Sequence, residues 1–165
     1  MKVSKAHFIK DLETKLGDIY SFFAEESIQI SELTDEVIKK AKSAGFEDKQ
    51  THIITKDTDW NFLSSENENF DLFGSKKIVE VKLIGTGPGN KGSKAIKDYC
   101  LDADENKLLI ISAERLEKKQ QTSAWAKALG ESGIFIVEPP VNKSSMPIWT
   151  FVDIRTNKQS SSLIR

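Results

Sequence analysis

The chain has 165 residues and a nearly balanced charge, because 24 Lys and Arg residues oppose 25 Asp and Glu residues. Tight non-specific binding of nucleic acid usually needs a basic excess or stripe, and here lysines alternate with acids. The single cysteine, Cys100, excludes a disulfide framework and a cysteine-based zinc site. Neither a membrane span nor a signal peptide is recognisable in the hydropathy pattern. We therefore expect a cytoplasmic protein that binds DNA only weakly or indirectly and does not enter a membrane.

Hydrophobic spacing predicts helices and strands that alternate along the chain. The predicted helices are 6–16, 27–44, a stretch that opens at Asp59 and Trp60, 93–101 and 118–129. The predicted strands are 19–23, 51–55, 77–84, 108–112 and 134–137. This alternation favours an α/β fold with an open, mostly parallel sheet and helices on both faces. The charges within 77–84 suggest an edge strand, whereas the apolar run 108–112 is typical of a strand buried on both faces.

The last part of the chain differs in composition from the rest. Residues 146–149 have the pattern of one more helix start, and 156–162 are polar and rich in serine. We expect a single domain over 1–149 followed by a frayed polar tail over 150–165.

A glycine-rich stretch over 85–92 is the most conspicuous local motif, and we expect it to be a loop. Gly87, Gly89 and Gly92 match G-x-G-x-x-G between a strand and a helix, and Glu114 follows the next strand. Such a loop can hold a pyrophosphate at a helix N-terminus. The dinucleotide motif normally follows the first strand of its unit, however, and here two strands precede it. A connecting loop is favoured, and a dinucleotide-binding Rossmann-type enzyme domain that uses these four residues is the alternative.

The position after the first strand is where a P-loop would be expected. The residues there are Ala24, Glu25, Glu26 and Ser27, with neither glycine nor lysine. Two carboxylates repel a phosphate, and in the first turn of a helix they stabilise its positive end. The later glycine stretch is not a P-loop either, because a P-loop ends in Lys followed by Ser or Thr, whereas here Ser93 precedes Lys94. We therefore expect no nucleotide cofactor.

Other catalytic or metal-binding patterns are absent from the sequence. His7 and His52 have no Cys or His partners at metal-ligand spacing. Ser112 does not lie in a G-x-S-x-G motif, and Asp102 and Asp104 have the pattern of a solvated loop. The sequence therefore predicts no metal site and no catalytic constellation.

Several segments, in order from about residue 18 to 149, resemble the delta subunit family of the bacterial DNA polymerase III clamp loader. The matching segments are the first strand and its acidic turn at 19–27, 44–47, 58–60, 70–77, 108–111, 118–129 and 146–149. The helix with Gln120, Gln121, Ala124, Trp125 and Leu129 is the most specific of them.

The sequence also departs from the family pattern in three places. Ala24 and Ser27 replace the usual Gly and Pro of the acidic turn, and Asp71 replaces a small polar residue before Leu72. The long helix expected after Trp149 does not follow, and the family's lid and collar domains have no counterpart.

This resemblance implies an AAA+-type domain without a working P-loop, in agreement with the acidic turn. It implies a non-catalytic subunit that binds the beta sliding clamp and opens its ring, with delta prime and gamma/tau as partners of the full-length protein. The implied clamp-binding residues are Leu72 and Phe73, with Phe70 beside them. The residues alone leave two interpretations open, because this apolar cluster in a polar stretch could also pack on the protein's own core.

Overall fold

The computed structural model describes residues 3–68, 75–84 and 87–140. Within these residues the strands are β1 (Ile19–Ala24), β2 (Phe46–Ile54), β3 (Lys76–Leu83), β4 (Lys107–Glu114) and β5 (Ile134–Val137). They form one sheet in the order β2-β3-β4-β1-β5, and every neighbouring pair is parallel. The predicted open parallel sheet is therefore confirmed.

Helices cover both faces of the sheet, as the alternating pattern predicted. They are α1 (Lys5–Thr14), α2 (Ser27–Ser43), α3 (Asn61–Glu68), α4 (Gly89–Leu101), α5 (Lys118–Gln121) and α6 (Ala124–Ser132). Helices α1 and α2 bury one apolar cluster against the sheet, with Phe8 and Leu33 at its centre. Helices α3, α4 and α6 bury the other, with Leu63, Ile96 and Leu129 fully enclosed.

The two strands at the centre of the fold are buried along almost their whole length. All six residues of β1 are buried, and in β4 only the final residue is exposed. Tyr20 and Phe22 point to the α1–α2 face, and Ile19 and Phe23 point to the opposite face. Continuous apolar runs of this kind belong to parallel strands that are covered on both sides.

The expectation that the charged third strand lies at the sheet edge is wrong. Strand β3 lies between β2 and β4, and the two edge strands are β2 and β5. The central position is tolerated because the buried carboxylate of Glu80 is neutralised by its neighbours. Lys49 Nζ lies 3.0 Å and Lys82 Nζ 3.7 Å from its oxygens, and Thr51 donates a 3.2 Å hydrogen bond.

Two predicted boundaries are also corrected by the structure. The segment 118–129 forms two helices rather than one, because Ser123 adopts an extended conformation and its hydroxyl bonds the Gln120 carbonyl. Residues 89–92 belong to α4 rather than to a loop. The predicted helix at 146–149 and the boundary between residues 149 and 150 lie outside the described residues.

Candidate functional site

The turn between β1 and α2 has neither the glycines nor the lysine of a P-loop. Helix α2 begins at Ser27, so Glu26 is its N-cap residue and Glu25 precedes it. Both glutamates were expected in the first turn of the helix, and they lie just before it. The Glu26 side chain makes no capping hydrogen bond, and both glutamates are exposed. Their charges lie beside the positive end of the helix, where they oppose the approach of a phosphate.

The carboxyl ends of β1 and β4 lie side by side in the sheet. The chain leaves β1 toward α2 on one face of the sheet and leaves β4 toward α6 on the other face. Open α/β folds usually bind ligands at such a point. Arg115 lies at this point in a left-handed conformation with φ of 55°, and its N–H donates a 2.8 Å bond to the Ala24 carbonyl. Beside it is a cavity of about 560 Å³ with an apolar wall that includes Ile53 and Ile84. Its charged groups are of both signs, since Lys82, Glu114 and Arg115 all line it.

The three glycines of the G-x-G-x-x-G motif have three different structural roles. Gly87 has φ of 113°, and a Cβ there would lie 3.0 Å from Gln120 Oε1. Gly89 starts α4 with φ of 71° and has open space around it. Gly92 packs beneath Trp60, where a Cβ would lie only 2.5 Å from the indole.

These roles give the dinucleotide interpretation no support. Glu114 lines the cavity on the α2 side, and the described walls of that cavity include none of the three glycines. Gly87 is required by its positive φ, and Gly92 is required by the neighbouring indole of Trp60, rather than by space for a ligand.

Helix α3 is held in place by a row of aromatic side chains. The Phe62 ring stacks on the His52 imidazole at a centroid distance of 4.0 Å, and the Trp60 and Phe62 rings lie 5.9 Å apart. Asp59 Oδ1 accepts the backbone N–H of Asn61 at 3.0 Å. Asp59 was predicted as the N-cap residue of this helix, but α3 begins at Asn61, so Asp59 lies one residue before the N-cap position. The entry into α3 is thus fixed both by packing and by a hydrogen bond.

Phe70, Leu72 and Phe73, the predicted clamp-binding residues, lie outside the described residues. The structure does define both flanks of their segment, because α3 ends at Glu68 and β3 begins at Lys76. Among the described residues, no group of three His, Cys, Asp or Glu side chains is arranged to hold a metal ion. No helix in that same part of the chain is long and apolar enough to cross a bilayer.

Comparison with known proteins favours the delta-subunit resemblance over the dinucleotide-binding alternative. The family model for the DNA polymerase III delta subunit matches residues 20–138, from β1 to the end of β5. The chain belongs to this family. Two curated delta subunits are each 25% identical to it, one from Escherichia coli over 138 residues and one from Haemophilus influenzae over 119 residues.

Solved structures show that this delta-family chain has an AAA+-type fold. A DNA clamp loader delta protein from Bacillus subtilis superposes with a TM-score of 0.60 at 15% identity, over 83% of this chain and 43% of that one. A DNA polymerase III gamma subunit-related protein from Thermotoga maritima gives a TM-score of 0.50 at 15% identity, over 90% and 48%.

The chain spans well under half the length of its curated relatives. The aligned region with the Escherichia coli protein is 84% of this chain and 40% of that protein. The aligned region with the Haemophilus influenzae protein is 70% of this chain and 33% of that protein. The match therefore concerns the α/β domain described above.

Sequence reasoning about this delta-family chain missed two features of the site region. The contact of Gly92 with Trp60 joins residues from different elements, and a tryptophan next to the start of a helix was its only sequence signal. The left-handed Arg115 had no signal, because glycine or asparagine normally marks that conformation.

Proposed function

We propose that this domain is the clamp-binding part of a bacterial clamp loader, and that it opens the ring of the beta sliding clamp. The observation that carries the proposal is the family match over residues 20–138, which includes the segment with Phe70, Leu72 and Phe73. The domain acts without catalysis, as a subunit of the DNA polymerase III holoenzyme in the cytoplasm. Delta prime and gamma/tau are its partners in the longer protein, and its contact with DNA is weak or indirect.

The proposed function does not involve binding of a nucleotide, because the turn after β1 carries acidic residues where a P-loop would hold phosphate. A P-loop holds phosphates with glycine N–H groups and a lysine. Here Glu25 and Glu26 occupy that position, and both are exposed, with no ion pair to another described residue. The domain therefore works by binding another protein, and no cofactor is needed for this step.

Leu72 and Phe73 are proposed as the anchors that enter a pocket on the clamp, with Phe70 beside them. A large apolar side chain that fills a partner's pocket is commonly worth about 2 kcal/mol or more in binding. Loss of both anchors therefore weakens binding by on the order of a thousandfold.

The test is a titration of the cognate clamp with wild-type protein and with the double variant Leu72→Ala/Phe73→Ala. We expect a roughly thousandfold loss of affinity and an almost unchanged melting curve, because an anchor that is exposed in the free protein leaves no cavity when truncated. Leu101→Ala is the matched control, since Leu101 is an 87% exposed leucine at the end of α4.

Two results would contradict the proposal. Unchanged clamp affinity of the double variant would show that the anchors lie elsewhere. A sharply lowered melting temperature would show that the two residues pack on the protein's own core, where truncation of a phenylalanine costs about 3–5 kcal/mol.

A further inference from the structure

The contact between Gly92 and Trp60 fixes how closely α3 approaches α4. Trp60 is 6% exposed and packs on the first turns of α4. A Cβ on Gly92 would lie 2.5 Å from Cε2 and 2.6 Å from Cζ2 of the indole, and 2.6 Å from Pro88 Cβ. Since such contacts are shorter than any that carbon atoms tolerate, the indole occupies this position only because residue 92 has no side chain.

The position of Trp60 is transmitted directly to α3. Trp60 immediately precedes the helix, its carbonyl accepts the Leu63 N–H at 3.1 Å, and its ring neighbours Phe62. Phe62 is in turn stacked on His52 of the edge strand β2. Leu63 is fully buried beneath the helix. A displacement of the indole therefore has to move the start of α3 or break this packing.

Helix α3 leads into the segment that contains the proposed clamp anchors. It has only eight residues, and its last residue, Glu68, precedes Phe70 by two positions. A rigid displacement at the start of so short a helix is carried to its end, because the backbone hydrogen bonds keep the helix rigid. On the other side of this segment in the sequence, β3 begins at Lys76 and is paired with β2 and β4.

We propose that Gly92 and Trp60 are positioning residues for clamp binding. The side-chain-free surface at Gly92 receives the indole, sets the placement of α3, and thereby presents Leu72 and Phe73 to the clamp. This inference rests on the proposed function. It gives the last glycine of the G-x-G-x-x-G motif a role in protein recognition rather than in phosphate binding.

The test is the clamp affinity of Gly92→Ala, measured well below the melting temperature of each variant and normalised to the folded fraction. A change that acts on a binding site without touching the ligand typically alters affinity by about two- to thirtyfold, and we expect a loss in this range. A purely structural role would lower the melting temperature and leave the affinity of the folded protein unchanged.

Gly89→Ala is the matched control, since it makes the same substitution in the same motif. Gly89 has φ of 71°, but a Cβ added there would meet no atom within 4 Å, so alanine strains the backbone without displacing Trp60. We expect a lowered melting temperature and wild-type clamp affinity. An equal loss of affinity in both variants would overturn the proposal.

A size swap keeps the test decisive if Gly92→Ala folds poorly. Trp60→Phe removes the indole atoms that meet the added methyl group and leaves only its contact with Pro88. The double variant Gly92→Ala/Trp60→Phe should therefore bind the clamp more tightly than the sum of the single effects predicts. Additive effects, or wild-type affinity of a folded Gly92→Ala, would refute the positioning role. Failure of the wild-type protein to bind the clamp would instead refute the proposed function.

Discussion

Removal of the Glu80 carboxylate should destabilise the domain less than removal of the lysines around it. The Glu80 side chain is 4% exposed, whereas those of Lys49 and Lys82 are 40% and 50% exposed. In Glu80→Gln both ammonium groups turn to water, and the amide oxygen still accepts the bond from Thr51. The expected loss is that of the half-exposed ion pairs, of which only the one with Lys49 is close enough to be a hydrogen bond, and amounts to about 1–2 kcal/mol.

The converse change, Lys49→Met/Lys82→Met, leaves the buried carboxylate without a countercharge. Methionine preserves much of the apolar stem, so the loss is mainly electrostatic. Removal of the partner of a buried charge lowers the free energy of unfolding by about 3–5 kcal/mol, because the remaining charge is left uncompensated. For a domain of this size, Glu80→Gln should lower the melting temperature by about 2–8 °C and the double lysine variant by about 6–20 °C.

Urea unfolding of the three proteins measures both effects as free energies, provided that the slopes of the unfolding curves agree. The triple variant Glu80→Leu/Lys49→Met/Lys82→Met serves as a control, because an apolar replacement of the whole group should recover most of the stability lost in the double lysine variant. A larger loss in Glu80→Gln than in the double lysine variant would refute the view that the lysines compensate a buried charge.

Two further predictions concern ligands and thiol reactivity. ATP, NAD and NADP should each leave the melting temperature unchanged. A ligand that binds the folded protein at 100 times its Kd would instead raise the free energy of unfolding by about 2.7 kcal/mol. A clear rise of the melting temperature would contradict the conclusion drawn from Glu25 and Glu26. Burial raises the pKa of the Cys100 thiol, and the hydrogen bond with Ser132 only partly opposes this. Iodoacetamide should therefore alkylate the folded protein more slowly than the urea-unfolded protein at pH 8, and equal rates would show that the thiol is not protected.

The sequence predicted the centre of the fold better than its periphery. The apolar runs that became β1, β4 and β5 were located almost to the residue, because burial on both faces leaves little choice of residue type. Strand β2 was predicted only over 51–55 but begins at Phe46. Its first half carries Glu47, Asp48 and Lys49, since one side of an edge strand faces water and tolerates charge.

Errors elsewhere came from contacts between residues far apart in the sequence. Gly89 and Gly92 have low helix propensity, yet α4 includes both. At Gly92 a residue without a side chain is required, because any Cβ would collide with Trp60. The acidic turn was predicted to lie in the first turn of α2, whereas Glu26 is the N-cap residue and Glu25 precedes it. That this turn cannot hold phosphate stays a prediction. The apolar segment with Phe70, Leu72 and Phe73 stays a prediction.

The order of the strands has a consequence for synthesis of the protein on the ribosome. Strand β1 is among the first segments to emerge, but its partners are residues 109–114 and 134–137. The backbone of β1 therefore lacks its pairing strands until most of the domain has been translated, and long-range parallel pairing is intrinsically slow. An early-terminated chain would leave both backbone edges of β1 unpaired and Phe23 without Trp125 and Phe135. This strand is therefore the natural target for a chaperone that captures unfinished chains.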